Sequence, residues 1–593
     1  MGDSKDLACA ISNSQGKSDE TSSIENAAAY TETNLNATSD STSRWARFKN
    51  SMKRMEDDID PNLSEAEKAE IRALKSEGEK LKKGIKIRHL VLIAIATGIG
   101  TGLLVGSGSS LSKGGPAGLL IGIIIVGSML IPVMEAAGEL AVTYGDLTGG
   151  FNAYNSILVD TSMCFAVSWN YCIQWLVVMP LELVTASMTI KYWTTSVNPD
   201  AFVVIFYVVI IIANFIGSDG YAEFEFFLNC SKTLMIIGFS ILSIILVCGG
   251  AGDHGYYGAH YWHDPGAFAH GFKGVCAVFV SSAFSLGCTE FLAFSAAEQP
   301  NPRRSIPSAT KQVFYRIVFL FVIPLFLIGL LVPYNSPDLL GSSGGSKTHS
   351  SPFVIAVSTV PVVSHIVNAV ILLAVLSVGN SALFCSSRTL QALAEQGFAP
   401  QFFNYIDRSG KPLRALIFSS IIGLFSFIAA YDKQETVFNW LLSISGLSTI
   451  LSWTGIVLSH IRFRKALACQ GYSISELGYV SKTGVWGSWY AFTINVLILI
   501  AQFWIALWPV GGDGSADAEN FFMNYLGMVV AIVFYFGHKI WTKNWRLFIP
   551  ADEIDLVKGR KIFDADVLAQ EDAEDREKYR YAAWYVKLFR IMC

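Results

Sequence analysis

The sequence predicts an all-α integral membrane protein of about twelve transmembrane helices, built as a five-plus-five inverted repeat with broken helices 1 and 6. Three observations predict it: a composition too apolar for a soluble chain, a dozen apolar segments of membrane-spanning length, and glycine-rich interruptions at matching positions in two halves.

The composition comes first. Of 593 residues, 52% are hydrophobic and 16% charged, against roughly 25% charged in ordinary soluble domains. Mean hydropathy is +0.42. A soluble chain of this kind would leave far too much apolar surface in water. The net charge of −4 says little, because the charges gather at the two ends and in a few loops. Nothing points to nucleic acid. The cysteines are scattered, without a CxxC pair or metal-ligand spacing. They read as small apolar residues, so neither a disulfide framework nor a metal or cofactor is expected.

The N-terminus lacks the charged-then-apolar pattern of a cleavable signal peptide. Residues 1–45, rich in Ser, Thr, Asn, Glu and Ala, read as a disordered tail. Residues 62–83 carry Glu and Lys at helical spacings and read as a solvated helix or tether. The glycosylation sequons at Asn36 and Asn229 fall in that tail and inside a span, so neither is expected to be used.

The apolar segments are 90–112, 117–141, 158–191, 201–217, 223–249 and 274–297, then 313–334, 353–387, 413–430, 437–460, 486–510 and 521–541. Each is near the roughly 20 residues that cross a bilayer; the long third and eighth should tilt. Lys82, Lys83, Lys86 and Arg88 flank the first segment. Arg303, Arg304, Lys311 and Arg316 follow the sixth, Arg388, Arg408, Lys411 and Arg414 the eighth, and Arg462, Arg464, Lys465 and Lys482 the tenth. The odd loops are poor in basic residues, so both termini are expected in the cytoplasm. The expected domains are an N-terminal tail (1–85), a transporter body (86–541) and a C-terminal tail (542–593).

The first segment is interrupted by glycines at 98–102, and the sixth carries SLGCTE at 285–290. Each opens a block of about five segments, 90–249 and 274–460. Such paired interruptions indicate an inverted-repeat transporter. A continuous helix satisfies its own backbone and offers nothing to a ligand. Unwinding frees N–H and C=O groups, which hydrocarbon tolerates only beside a cavity. Half-helix N-termini favour an anion and freed carbonyls a cation, so a zwitterion suits both. Glycine also lets a ligand approach the backbone. The bland alternative is helix packing through small-xxx-small seams, a spacing that Gly98, Gly102 and Gly106 have. The matching break in the sixth segment favours the site for Gly98, Gly100 and Gly102, and Gly106 and Gly108 keep the packing role.

Ionisable residues inside the membrane cost several kcal/mol unless paired or wet. Lys232 lies mid-way along the fifth segment, about ten residues from its cytoplasmic end, roughly 15 Å of helix and too far to snorkel. Glu290 follows the break in the sixth. Lys232 and Glu290 are therefore the residues expected to carry proton coupling, with the proton as coupling ion; a fixed ammonium also opposes sodium coupling. Glu182 and Glu135 read as interhelical hydrogen-bonding residues. Glu139, Glu223 and Glu225 read as gate or interface residues near cytoplasmic ends.

The chain resembles the fungal amino-acid permeases of the amino acid–polyamine–organocation superfamily, from about Lys86 to near the C-terminus. The resemblance is carried by GIGTGLLVGSG at 98–108, GGPAGLLIG at 114–122, GELAV at 138–142, QWLVVMPLELVTASMTIKYW at 174–193 and HYWHDPGAF at 260–268. EQPNPRRSIPSATKQVFYRI at 298–317, GLLVPYN at 329–335, LSVGNSAL at 376–383, HIRFRKAL at 460–467 and TGVWGSW at 483–489 continue it. Within that family it is most similar to the broad neutral and branched-chain or aromatic amino-acid permeases of yeasts.

The resemblance implies proton-coupled amino-acid uptake at the plasma membrane. It places the substrate-backbone site at Thr97, Gly98, Ile99, Gly100, Thr101 and Gly102 and at Ser285 and Gly287, with Ser377 and Val378 lining the pocket. It matches Lys232 to the lysine of proton-coupled relatives and Glu290 to their acidic residue after the second break. It makes Lys5 and Lys17 candidate ubiquitin sites, with ubiquitin-ligase or adaptor machinery as partners, and Cys593 a candidate palmitoylation site. Three departures stand out. Ala96-Thr97 precede Gly98 where relatives usually have Gly-Gly, the chain ends Ile-Met-Cys rather than Phe-Trp-Cys, and Glu135 sits where relatives are commonly uncharged. An amino-acid sensor of the same fold is the rival reading; the short N-terminal tail favours transport. No nucleophile–base or metal constellation suggests an enzyme. For side-chain specificity, Gln174, Phe284 and Trp440 are guesses.

Overall fold

The computed structural model describes residues 98–144, 150–194, 196–216, 218–250, 255–290, 302–339, 351–407, 410–430, 434–512, 514–557, 559–560, 570 and 577. Thr97, Lys5, Lys17 and Cys593, and the expected N-terminal tail and tether, lie outside them. One compact unit covers residues 81–405 and 411–593; a second, of residues 1–80 and 406–410, falls almost wholly outside the described residues.

Among the described residues the regular elements are all helices. A π-helical turn (Gly102–Gly106) leads into α1 (Ser107–Thr143), then α2 (Tyr154–Leu158), α3 (Thr161–Ile190), α4 (Pro199–Ile216) and α5 (Ser218–Val247). The second block has α6 (Gly271–Leu286), α7 (Pro302–Arg316), α8 (Ile323–Leu331), α9 (Pro352–Ala356), α10 (Pro361–Glu395), α11 (Leu413–Gly423) and α12 (Gln434–Gln470). Two more, α13 (Gly484–Leu507) and α14 (Ala518–Thr542), lie beyond the repeat. Among the described residues eight helical stretches are long and apolar enough to cross a membrane, and three shorter apolar helices accompany them. The stretch 102–143 holds two of the expected segments, separated at Gly115 (φ 73°, ψ 174°). That turn needs glycine twice over: its φ is left-handed, and a Cβ would sit 2.7 Å from both Ala267 O and Ala269 N.

Local chemistry sets the helix ends. The Asp160 side chain caps α3, accepting from the backbone N–H of Ser162 and Met163 at 3.1 and 3.3 Å. The same carboxylate pairs with Lys539 of α14 at 2.9 Å, both buried. Equivalent members of the two blocks pack together: α6 along α1, and α3 along α10.

Three boundaries differ from the sequence reading. The eighth segment does not run from 353 to 387: the chain makes the short α9, and α10 begins at Pro361, whose missing N–H suits a first helical turn. The tenth helix runs on to Gln470, so Arg462, Arg464 and Lys465 are helical, not loop residues. Arg316 and Arg388, counted with loops, lie within helices and are 2% and 5% exposed. Hydropathy marks where a helix leaves hydrocarbon, not where its backbone stops being helical, and helices that overrun the apolar stretch carry these arginines inward. The guanidinium of Arg388 lies on the Phe384 ring at 3.3 Å.

Glu135 and Glu139, one turn apart near the end of α1, tie down the segment before α13. Glu135 Oε2 accepts from Thr483 N at 2.7 Å and Ser481 Oγ at 3.2 Å. Glu139 Oε2 accepts from Ser481 N and from Arg464 Nη2, each at 2.7 Å, with His460 Nε2 3.2 Å from Oε1. Glu135 does bond between elements, as expected. Glu139, expected as a gate or interface residue, is fully buried as the hub of this network. Removing one member of a buried ion pair costs about 3–5 kcal/mol, because the partner charge stays buried. Arg464→Leu is therefore expected to lower the thermal stability of the detergent-purified protein clearly below that of Lys465→Leu. Equal melting curves would show that the network contributes nothing.

The chain after α14 packs back onto the same end. Ile549 N donates to Val159 O at 3.0 Å, Gln470 Nε2 to Ile554 O at 2.8 Å, and Arg560 pairs with Glu476 at 2.9 Å.

Candidate functional site

Both glycine-rich interruptions are irregular among the described residues. Residues 98–100 are irregular, and regular helix hydrogen bonding resumes with Leu104 N donating to Gly100 O at 2.9 Å. In the sixth segment α6 stops at Leu286; Gly287 is extended in ψ, and Cys288 takes a left-handed φ of 64°. The breaks meet backbone to backbone. A Cβ on Gly98 would lie 3.2 Å from Gly287 O and 3.3 Å from Ser285 O; one on Gly102 would lie 2.8 Å from Ser285 Cα. A Cβ on Gly100 would lie 2.5 Å from Val378 Cγ2, on α10.

A small cavity lies at this junction. The first break contributes Gly98, Gly100, Thr101 and Gly102, the sixth segment Phe284, Gly287 and Cys288, and α10 Val378. The fourth wall is α3, through Gln174, Trp175, Val178 and Glu182. Residues 174, 178 and 182 recur every four positions and so share one helix face.

The cavity's polar groups are buried and only partly used. Thr101 Oγ1 donates to Glu182 Oε2, and Gln174 Nε2 donates to Thr449 Oγ1 of α12 at 2.8 Å. Glu182 Oε1 and Gln174 Oε1 have no hydrogen-bond partner among the described residues. Buried polar atoms are rarely left unpaired. Two acceptors held in reserve, beside freed backbone, suit a small ligand that carries donors as well as acceptors.

The expected residues fall into two shells. Gly98, Gly100, Thr101, Gly102, Gly287 and Val378 line the cavity. Ile99 is fully buried in the apolar core, and Ser285 Oγ turns back to Ser281 O at 2.8 Å; neither lines it. Ser377 lies behind the wall, where it accepts from Lys232 Nζ at 2.7 Å and donates to Glu225 Oε2 at 2.7 Å. Asn380 Nδ2 donates to Glu225 Oε1 at 3.0 Å, and Asn214 Nδ2 to Asn380 Oδ1 at 2.8 Å. Lys232 and Glu290 do not bond each other: Glu290 Oε2 accepts from Trp453 Nε1 at 3.2 Å. The lysine's acidic neighbour is Glu225, which is 2% exposed and belongs to this buried cluster rather than to a gate. The two are seven residues apart on α5, two helical turns on one face, a spacing the sequence displays. Glu182, expected only as a structural hydrogen-bonding group, also lines the cavity. Of the guesses, Gln174 and Phe284 line it; Trp440 is 36% exposed and does not.

The crystal structure of MhsT in complex with L-phenylalanine overlaps 71% of this chain and 99% of its own, at 14% identity and a TM-score of 0.48. The general amino acid permease AGP1 of Saccharomyces cerevisiae is 56% identical over 524 residues, 87% of this chain and 82% of that protein. The high-affinity glutamine permease of that yeast is 55% identical, over 87% and 79% of the two chains. Its valine/tyrosine/tryptophan amino-acid permease 1 is 54% identical, over 84% and 81%. The amino acid permease family profile matches residues 89–551. This chain, a multi-pass membrane protein with two broken helices around a buried cavity, belongs to the amino acid permease family.

Proposed function

We propose that this chain takes up L-amino acids across the plasma membrane with protons, by alternating access around the cavity between its two broken helices. The observation that carries the reading is the conjunction of freed backbone with Glu182 and Gln174, which line one small cavity and each keep a spare acceptor. An amino acid brings an ammonium to the carbonyls and acceptors, and a carboxylate to the backbone N–H groups. The buried Lys232–Ser377–Glu225 chain is the candidate coupling device, with Glu182 lining the cavity. In this reading both termini are cytoplasmic, and the tails carry Lys5, Lys17 and Cys593 for ubiquitin machinery and lipid attachment.

The test is uptake of a panel of labelled amino acids into permease-deficient yeast cells expressing the chain, at several external pH values and with a proton uncoupler. Uptake of neutral amino acids that rises with acidity and collapses with uncoupler is expected. Uptake indifferent to the uncoupler would end the proton-symport reading. Surface protein with no uptake of any amino acid would end the transport reading.

A further inference from the structure

The helix of the sixth segment ends inside the protein, so its last carbonyls, the negative end of the helix dipole, meet protein rather than water. Arg316, the last residue of α7, supplies the cation there and is 2% exposed. Its Nη2 donates to Leu286 O at 3.4 Å and to the Thr289 hydroxyl. That hydroxyl donates in turn to Leu286 O at 2.7 Å. Glu290 lies within electrostatic reach.

Capping α6 would require nothing more. The same Nη2 also lies near the other break, 3.6 Å from where a Cβ, which glycine lacks, would stand on Gly98. One guanidinium thus bonds the end of α6 and lies close to Gly98, and Gly98 and Gly287 both line the cavity. A flat, forked donor can hold several acceptors at fixed angles, which an ammonium cannot.

We infer that Arg316 is a positioning residue of the transport cycle, a latch that holds the inner ends of the two breaks together and whose release opens the cavity to the cytoplasm. This rests on the proposed transport function and orientation, in which α6 runs inward and places Thr289, Glu290 and Arg316 on the cytoplasmic side of Gly287. Closing the latch joins Gly98 to Gly287 behind the ligand. Opening it separates them while α7 stays packed.

Cys288 lines the cavity and serves as the native reporter. The full chain, with Cys9, Cys248, Cys469 and Cys593 replaced by serine, is labelled with a membrane-impermeant methanethiosulfonate in right-side-out and inverted vesicles. A Cys288→Ala version supplies the blank. Arg316→Met is expected to raise the Cys288 labelling rate from the cytoplasmic face about tenfold and not from the outer face. Thr289→Val, which keeps the cation and removes one partner, should raise it about threefold, and Arg316→Lys should fall between. Should Arg316→Met fail to reach the membrane, Thr289→Val and Arg316→Lys decide by the same criterion. Rates unchanged in these variants, or raised equally from both faces, would overturn the latch. Labelling needs no substrate, so a failure of the amino-acid reading and a failure of the latch are told apart.

Discussion

Gly102→Ala is expected to cut amino-acid uptake at least about tenfold with the protein still at the cell surface, while Gly106→Ala, one turn on, stays within about twofold of the parent. The two substitutions add the same methyl group to the same helix. At Gly102 the new carbon would lie 2.8 Å from Ser285 Cα and 2.8 Å from Phe284 Cδ1. Backbone cannot swing aside as a side-chain tip can, so the first and sixth segments must separate where they form the cavity. Overpacking of this kind costs about 1–3 kcal/mol, and each 1.36 kcal/mol charged to the transport barrier is tenfold in rate. At Gly106 the nearest atoms would be Thr101 O at 3.5 Å and Leu442 Cδ2 at 3.9 Å, ordinary contacts. Initial rates of labelled uptake, normalised to surface protein, decide it. Equal rates in the two variants would mean that the close approach at Gly102 has no part in transport.

Lys232→Ala is expected to abolish accumulation against a gradient. The ammonium is fully buried, donates to Ser377 Oγ at 2.7 Å, and through it reaches Glu225. Removing it alone leaves the Glu225 carboxylate buried with a hydroxyl and the Asn380 amide, a loss of about 3–5 kcal/mol that would confuse folding with coupling. Lys232→Met/Glu225→Gln removes both charges and is the cleaner variant. It should reach the surface and equilibrate substrate across the membrane, yet show no concentrative uptake when external pH is lowered. Full accumulation by the double variant would remove the pair from the coupling mechanism.

Much of the fold is legible along the chain because the bilayer imposes it. Every spanning backbone must satisfy its own hydrogen bonds, so spans must be helices of a set length, and hydropathy finds them. The breaks are legible for the same reason: glycine clusters such as 98–102 are conspicuous where a continuous helix would be the cheapest solution. Boundaries at polar ends are less legible, as the helical Arg462 and Arg464 show, because a helix that leaves hydrocarbon needs no apolar residue to continue.

The site divides in the same way. Sequence supplied the backbone elements, since glycine's meaning is local. It marked Lys232 and Glu290 for proton coupling because both are charges in apolar surroundings, but it did not show their partners: Lys232 meets Ser377 and, through it, Glu225, and Glu290 meets Trp453. Glu182 shows the same limit, since whether a buried carboxylate only braces two helices or also faces a cavity depends on where Thr101 and the two breaks come to rest.

By itself, then, the sequence determined a helical membrane protein interrupted at two matching places, because hydrophobic length and glycine content act along the chain. Only the tertiary structure decided which buried charge answers which, that Gly102 packs against the backbone of Ser285, and that Arg316 bonds the end of α6 close to Gly98. Those contacts join residues far apart in sequence, and Coulomb and steric forces depend on separations in space that no spacing along the chain encodes.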